Sequence, residues 1–141
     1  MWEHEYSIEV DLTPQAVWKV WSDVAGAATW NEGIESIEMY GPFAAGTEFL
    51  MTPPGRNPVL MRLAEVVDNE MFVEETQAHG LLIRIVHRVE PLGEHRCTVT
   101  YRTHITGPGA DQAGAHIGPG ITAPFPRAVA QLVERAQQTA P

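Results

Sequence analysis

Leu81-Leu82-Ile83-Arg84-Ile85-Val86-His87-Arg88-Val89-Glu90 and, after Pro91-Leu92-Gly93-Glu94-His95, Arg96-Cys97-Thr98-Val99-Thr100-Tyr101-Arg102-Thr103-His104-Ile105 form the stretch on which the reading of the chain turns. In the first limb the odd positions are Leu, Ile, Ile, His and Val, while the even ones include Arg84, Arg88 and Glu90. A period of two, rich in β-branched residues, describes a strand with one face on a core and the other on water. The second limb repeats the pattern with Cys97, Val99, Tyr101, Thr103 and Ile105 inward. A turn centred near Glu94 keeps both apolar sets on one face, whereas a slip of one residue would send one set to solvent. That register puts His87 opposite Tyr101, two polar-tipped side chains on an otherwise apolar face.

Outward from this hairpin, Tyr6, Ile8, Val10 and Leu12 alternate with Glu5, Ser7, Glu9 and Asp11, a first strand with an acidic outer face and His4 on the inner parity. Thr13-Pro14 supplies an N-cap and a proline at the first helical position, where its missing N–H costs nothing. Val17, Val20, Trp21 and Val24 follow at helical spacing, so a short helix runs to about Ser22 or Asp23, and residues 25–30 form another before Asn31-Glu32-Gly33. Strands are expected over residues 34–40, 47–51, 59–67 and 71–76, divided by Gly- and Pro-rich turns too short for parallel crossovers. Residues 107–120, rich in Gly, Pro and Ala with no apolar period, read as a loop with at most a helical turn. Ile121, Phe125, Val129, Leu132 and Val133 then trace a helical stripe over about residues 121–137, which Pro124 and Pro126 should start or bend. The result is one α+β domain over residues 1–141: a curved antiparallel sheet of six to seven strands wrapped around a long C-terminal helix, with two short helices after the first strand.

Composition narrows the partners. A chain of 141 residues can bury a core without disulfides or metals, and Cys97 is alone, which fits a reducing compartment. The formal charge of −9, with a single Lys and scattered Arg, argues against nucleic acid or an anionic membrane surface. No apolar run approaches the length of a membrane span, and Met1-Trp2-Glu3-His4-Glu5 lacks the features of a signal peptide. The expectation is a soluble cytoplasmic protein whose partner is a small molecule, with no membrane insertion and with a homodimer left open.

The layout resembles the START-like, Bet-v-allergen-like superfamily, also called SRPBCC proteins, whose architecture is the helix-grip fold. Val17-Trp18-Lys19-Val20-Trp21-Ser22-Asp23-Val24 leading to Thr29-Trp30-Asn31, and Gly41-Pro42-Phe43 with Gly46-Thr47, look like its bacterial polyketide cyclase/dehydrase and lipid-transport branch. Arg62-Leu63-Ala64-Glu65-Val66-Val67, His87-Arg88-Val89-Glu90-Pro91-Leu92 and Phe125-Pro126-Arg127-Ala128-Val129-Ala130-Gln131-Leu132 fit it too. The resemblance implies a deep cavity between sheet and long helix. The facing assignments put Met61, Leu63, Ile83, Ile85, Val99, Ile121, Phe125 and Val129 around it, together with His87 and Tyr101. Such pockets hold an apolar ligand oriented by a few polar groups.

Three residues are candidates for chemistry. His87 on a cavity wall can move a proton near neutral pH, or it can be a core histidine bonded to Tyr101 or to backbone. Tyr101 can polarise a ligand carbonyl or simply pack. Glu74 can act as a general base if it, rather than Glu75, faces inward. Trp21 and Trp30 are expected to close one end of the core, with an aromatic lid as the alternative, and Met51 with Met61 would give an adaptable wall. The six histidines show no metal-binding spacing, Cys97 has no nearby base, and Gly107-Pro108-Gly109 places proline where a phosphate loop needs donors, so no metal or cofactor is expected. The leading reading is a binder of a hydrophobic, aromatic or polyketide-like ligand. The alternatives are a cyclase/dehydratase-type enzyme using His87 or Glu74 as acid/base, and a regulatory or co-chaperone-like module with a filled interior.

Overall fold

The structure, a computed structural model, describes residues 1–139. Seven strands, β1 (Trp2–Val10), β2 (Ser36–Met39), β3 (Glu48–Thr52), β4 (Val59–Val67), β5 (Met71–Ala78), β6 (Leu81–Pro91) and β7 (Cys97–Thr106), build one antiparallel sheet in the order β1-β7-β6-β5-β4-β3-β2. The β6–β7 register pairs Ile83 with Ile105, His87 with Tyr101 and Val89 with Val99, which places the turn at Glu94. Every odd residue from Leu81 to Val89 and from Cys97 to Ile105 is buried. β4 breaks its own alternation. A bulge at Ala64, between the Leu63–Glu74 and Glu65–Val73 pairs, turns Glu65 outward and brings Val66 against the core beside Met61 and Leu63.

Helix α1 (Pro14–Ser22) opens on Thr13, whose Oγ1 accepts a hydrogen bond from the Ala16 N–H at 3.1 Å, and buries Val17, Trp18, Val20 and Trp21. A single 3-10 helix (Val24–Thr29) follows. The C-terminal helix α3 (Phe125–Thr139) buries Phe125, Ala128, Val129, Leu132 and Ala136 and packs on α1, giving the helix-grip arrangement. Pro124, which has no N–H to continue a preceding helix, ends one helix and starts α3: its carbonyl accepts from Ala128 N at 2.9 Å.

The loop expected over residues 107–120 is instead a helix, α2 (Ala110–Thr122), and Ile121 falls in its last turn rather than in α3. Its buried residues are Ala110, Gly114, Gly118 and Thr122, a small-residue face at a spacing of four. The apolar bulk sits on the partner: a Cβ on Gly114 or Gly118 would collide with the indole of Trp2, which lies along this face. Beside this face a short apolar row, Ala113, Ile117 and Ile121, packs on Leu81, Ile83 and Ile105.

Candidate functional site

β3, β4, β5 and β6 turn Phe49, Met61, Leu63, Phe72, Ile83 and Ile85 towards α3, which answers with Phe125 and Ala128, and Ile121 adds the end of α2. Between them lies a cavity of about 470 Å³. Trp30 and Met51 line it as well, and the solvent-exposed Gly33, Arg56, Gly120 and Pro124 mark its rim. Of the wall expected from sequence, Met61, Leu63, Ile83, Ile85, His87, Tyr101, Ile121 and Phe125 are in place. Val99 and Val129 are not. Both are at most 1% exposed and are packed in the core cluster with Val17, Val20 and Leu132, none of which lines the cavity.

The polar groups sit together on the sheet side. Phe72, His87 and Tyr101 are successive cross-strand partners on β5, β6 and β7. The His87 ring stacks on Phe72 at 4.1 Å between centroids and meets Tyr101 and Trp21 edge-on at 4.5 and 5.9 Å. Trp21 Nε1 donates to the Tyr101 hydroxyl at 3.4 Å, leaving the phenolic proton free for another acceptor. One turn of the pleat from Phe72, Glu74 also lines the cavity, with Oε1 3.9 Å from His87 Nε2. Glu75 points the other way and pairs with Arg62 at 2.9 Å and Arg84 at 3.3 Å on the outer face. The inward carboxylate is therefore Glu74.

Burial decides the protonation of all three. It pushes Glu74 up to about 7, and it drives His87 down to about 3 against the opposing pull of the Ile85 and Phe72 carbonyls. Tyr101 is raised above its ordinary value by burial, eased by the Trp21 bond and reinforced by the nearby Glu74. His87 is thus a neutral imidazole whose buried Nδ1 completes no hydrogen bond, and Glu74 is the group that exchanges a proton near neutrality. Cys97, fully buried with its thiol pushed up to about 11, lies outside the cavity and is inert. Among the described residues no cluster of three His, Cys, Asp or Glu is placed to hold a metal ion, and no helix is long and apolar enough to cross a membrane.

Phe49, Phe72 and the rim residue Arg56 belong to the site without having been singled out from sequence. Phe72 shares the parity of Glu74 and Thr76, and the sheet, by setting Arg62 and Arg84 opposite Glu75, shows that this parity is inner.

A family model described as polyketide cyclase / dehydrase and lipid transport matches residues 1–138. No curated protein matches the chain closely enough to count as a relative. Among solved structures, norcoclaurine synthase from Thalictrum flavum, in complex with dopamine and hydroxybenzaldehyde, superposes with a TM-score of 0.80 at 17% identity, over 99% of this chain and 88% of that one. The Zhui aromatase/cyclase from Streptomyces sp. R1128 gives 0.76 at 14% identity, over 99% and 96%. A Thermobifida fusca protein solved in solution gives 0.75 at 20% identity, over 99% and 96%. At such identities the likeness speaks for the fold alone.

Proposed function

The chain belongs to the polyketide cyclase/dehydrase and lipid-transport family, and on that premise we propose that its cavity binds a small hydrophobic molecule, aromatic or polyketide-like, with the ligand's polar end towards Glu74, His87 and Tyr101. The observation that carries this reading is the cavity itself: about 470 Å³ of space walled by aliphatic and aromatic side chains, with its few polar groups gathered on one side. That combination of apolar volume and convergent polar groups is what ligand sites have and packed cores lack. It also weighs against a regulatory module with a filled interior. The test is binding of an environment-sensitive apolar dye to the parent and to Ile83→Trp, whose added bulk enters the cavity. Saturable binding lost in a folded Ile83→Trp supports the site, and undiminished binding removes it.

A second reading, catalysis, has its own support in Glu74. A carboxyl that titrates at about 7 beside a Tyr101 hydroxyl with a free proton suits an aldol-type cyclisation or dehydration. Glu74 as carboxylate takes a proton from the carbon next to a ligand carbonyl, and Tyr101 hydrogen-bonds the enolate oxygen that forms. The enolate carbon attacks a second carbonyl of the same ligand, and Glu74 returns its proton to the new alkoxide. In this reading His87, neutral and held down at about 3, does not carry the proton. Incubation with a poly-β-ketone thioester, followed by mass spectrometry for cyclised or dehydrated product, tests this reading. No product above the uncatalysed background leaves binding alone.

A further inference from the structure

We infer that the molecule this cavity takes carries a basic nitrogen, held as an ammonium between Glu74 Oε1 and His87 Nε2, with its hydrophobic body along the aromatic wall. This rests on the cavity being a ligand site and adds the ligand's chemical class. Glu74 is a carboxyl on an apolar wall with no cation beside it: the one cationic side chain among the cavity's described lining residues, Arg56, is exposed at the rim, while Arg62 and Arg84 serve Glu75 on the outer face. Such a group needs either a proton or a positively charged partner.

The geometry supplies a seat for the second. Oε1 and Nε2 are 3.9 Å apart, too far to bond each other, but one atom about 2.8 Å from each spans the gap. In the tautomer of neutral His87 that carries its proton on Nδ1, Nε2 is an acceptor and a bridging atom there donates twice. An ammonium has the donors for both, whereas a ketone oxygen would set lone pairs against lone pairs. His87 does not compete, because burial keeps it uncharged.

Isothermal titration with naphthylmethylamine and its neutral counterpart naphthylmethanol, on the parent and on Glu74→Gln at pH 8, tests this. The amine is expected to bind the parent on the order of ten-fold more tightly, about 1.4 kcal/mol, and to lose that advantage in Glu74→Gln while the alcohol is little affected. A parent that prefers the alcohol, or treats the two alike, overturns the ammonium and leaves the cavity standing. Failure of both probes and of an apolar dye overturns the cavity as a ligand site, and the inference with it. A second measurement needs no variant. The titratable groups on the elements facing Glu74 are His87 on β6 and Tyr101 on β7, while β4 and α3 present Leu63, Phe125 and Ala128. Neither His87 nor Tyr101 changes charge between pH 6 and 8. The parent's preference for the amine should therefore shrink as Glu74 gains its proton on going from pH 8 to 6. A preference constant over that range removes Glu74 as the partner.

Discussion

Glu74 Oε1 and His87 Nε2 lie 3.9 Å apart on adjacent strands, and the same burial moves their proton affinities in opposite senses, Glu74 up to about 7 and His87 down to about 3. Both are thereby held neutral through mildly acid pH. A contact that resembles an ion pair on distance alone is a meeting of two uncharged groups. Charge can enter it only through Glu74 or through whatever binds beside it.

The pair predicts two opposed stability profiles. Unfolded Glu74 titrates near 4.5 and folded Glu74 near 7, so its contribution is full below pH 4.5 and is lost as pH rises through about 7. Unfolded His87 titrates near 6.5 and folded His87 near 3, so its contribution is full above pH 6.5 and is lost as pH falls towards 3. Between pH 4.5 and 6.5 the two slopes cancel. In urea melts Glu74→Gln should therefore lose stability on acidification relative to the parent, and His87→Phe should lose it as pH rises towards 7. The Glu74 displacement corresponds to at most roughly 3 kcal/mol, and to less because its side chain keeps 23% of its surface in solvent. Profiles parallel to the parent in both variants would show that neither group is buried as described.

Leu132 is fully buried in the same core cluster as Val17, Val20, Val99 and Val129 and does not line the cavity. Leu132→Ala should cost about 2–5 kcal/mol in urea melts, since the removed atoms leave a void that α1 and α3 can only partly close. Dye binding should survive, because Leu132 does not line the cavity. A variant as stable as the parent would take α3 off the core.

Gly118→Ala, and Gly114→Ala one turn earlier, should each destabilise by about 1–3 kcal/mol, because the new Cβ meets the Trp2 indole. Trp2→Ala should cost stability by itself, yet should make Gly118→Ala nearly neutral when the two are combined. Additive losses in the double variant would mean that α2 does not rest on Trp2.

The same contact shows where sequence reading stops. The β6–β7 hairpin was legible because each limb carries its own alternating apolar set, and the His87–Tyr101 pairing follows from that alternation. α2 was not legible, because its most buried face consists of small residues whose apolar partner, Trp2, stands more than a hundred residues earlier, and its Ala113, Ile117 and Ile121 row is interrupted by Gly and Pro. Val99 and Val129 failed as cavity residues for a related reason. Parity says which face of an element a side chain takes, but not whether neighbouring side chains leave space beside it. The inward turn of Glu74, and with it that of Phe72 on the same parity, shows only once the sheet sets Arg62 on β4 and Arg84 on β6 opposite Glu75.

The last prediction separates the three polar residues once a converted ligand is in hand. Glu74 is the one whose proton moves near neutrality, so Glu74→Gln should lower turnover by about 10²–10⁴-fold. The pH profile of the parent should rise through about pH 7 if the carboxylate is the working form, and fall there if the acid is. Tyr101→Phe removes a donor to the ligand and also the acceptor of the Trp21 N–H, so it should cost both turnover and about 1–3 kcal/mol of stability. His87→Gln keeps a polar group beside Glu74 without the imidazole, and should shift the pH midpoint more than the plateau rate. Loss of turnover as deep in His87→Gln as in Glu74→Gln, with the midpoint unmoved, would give the proton to His87 and contradict its burial as a neutral ring.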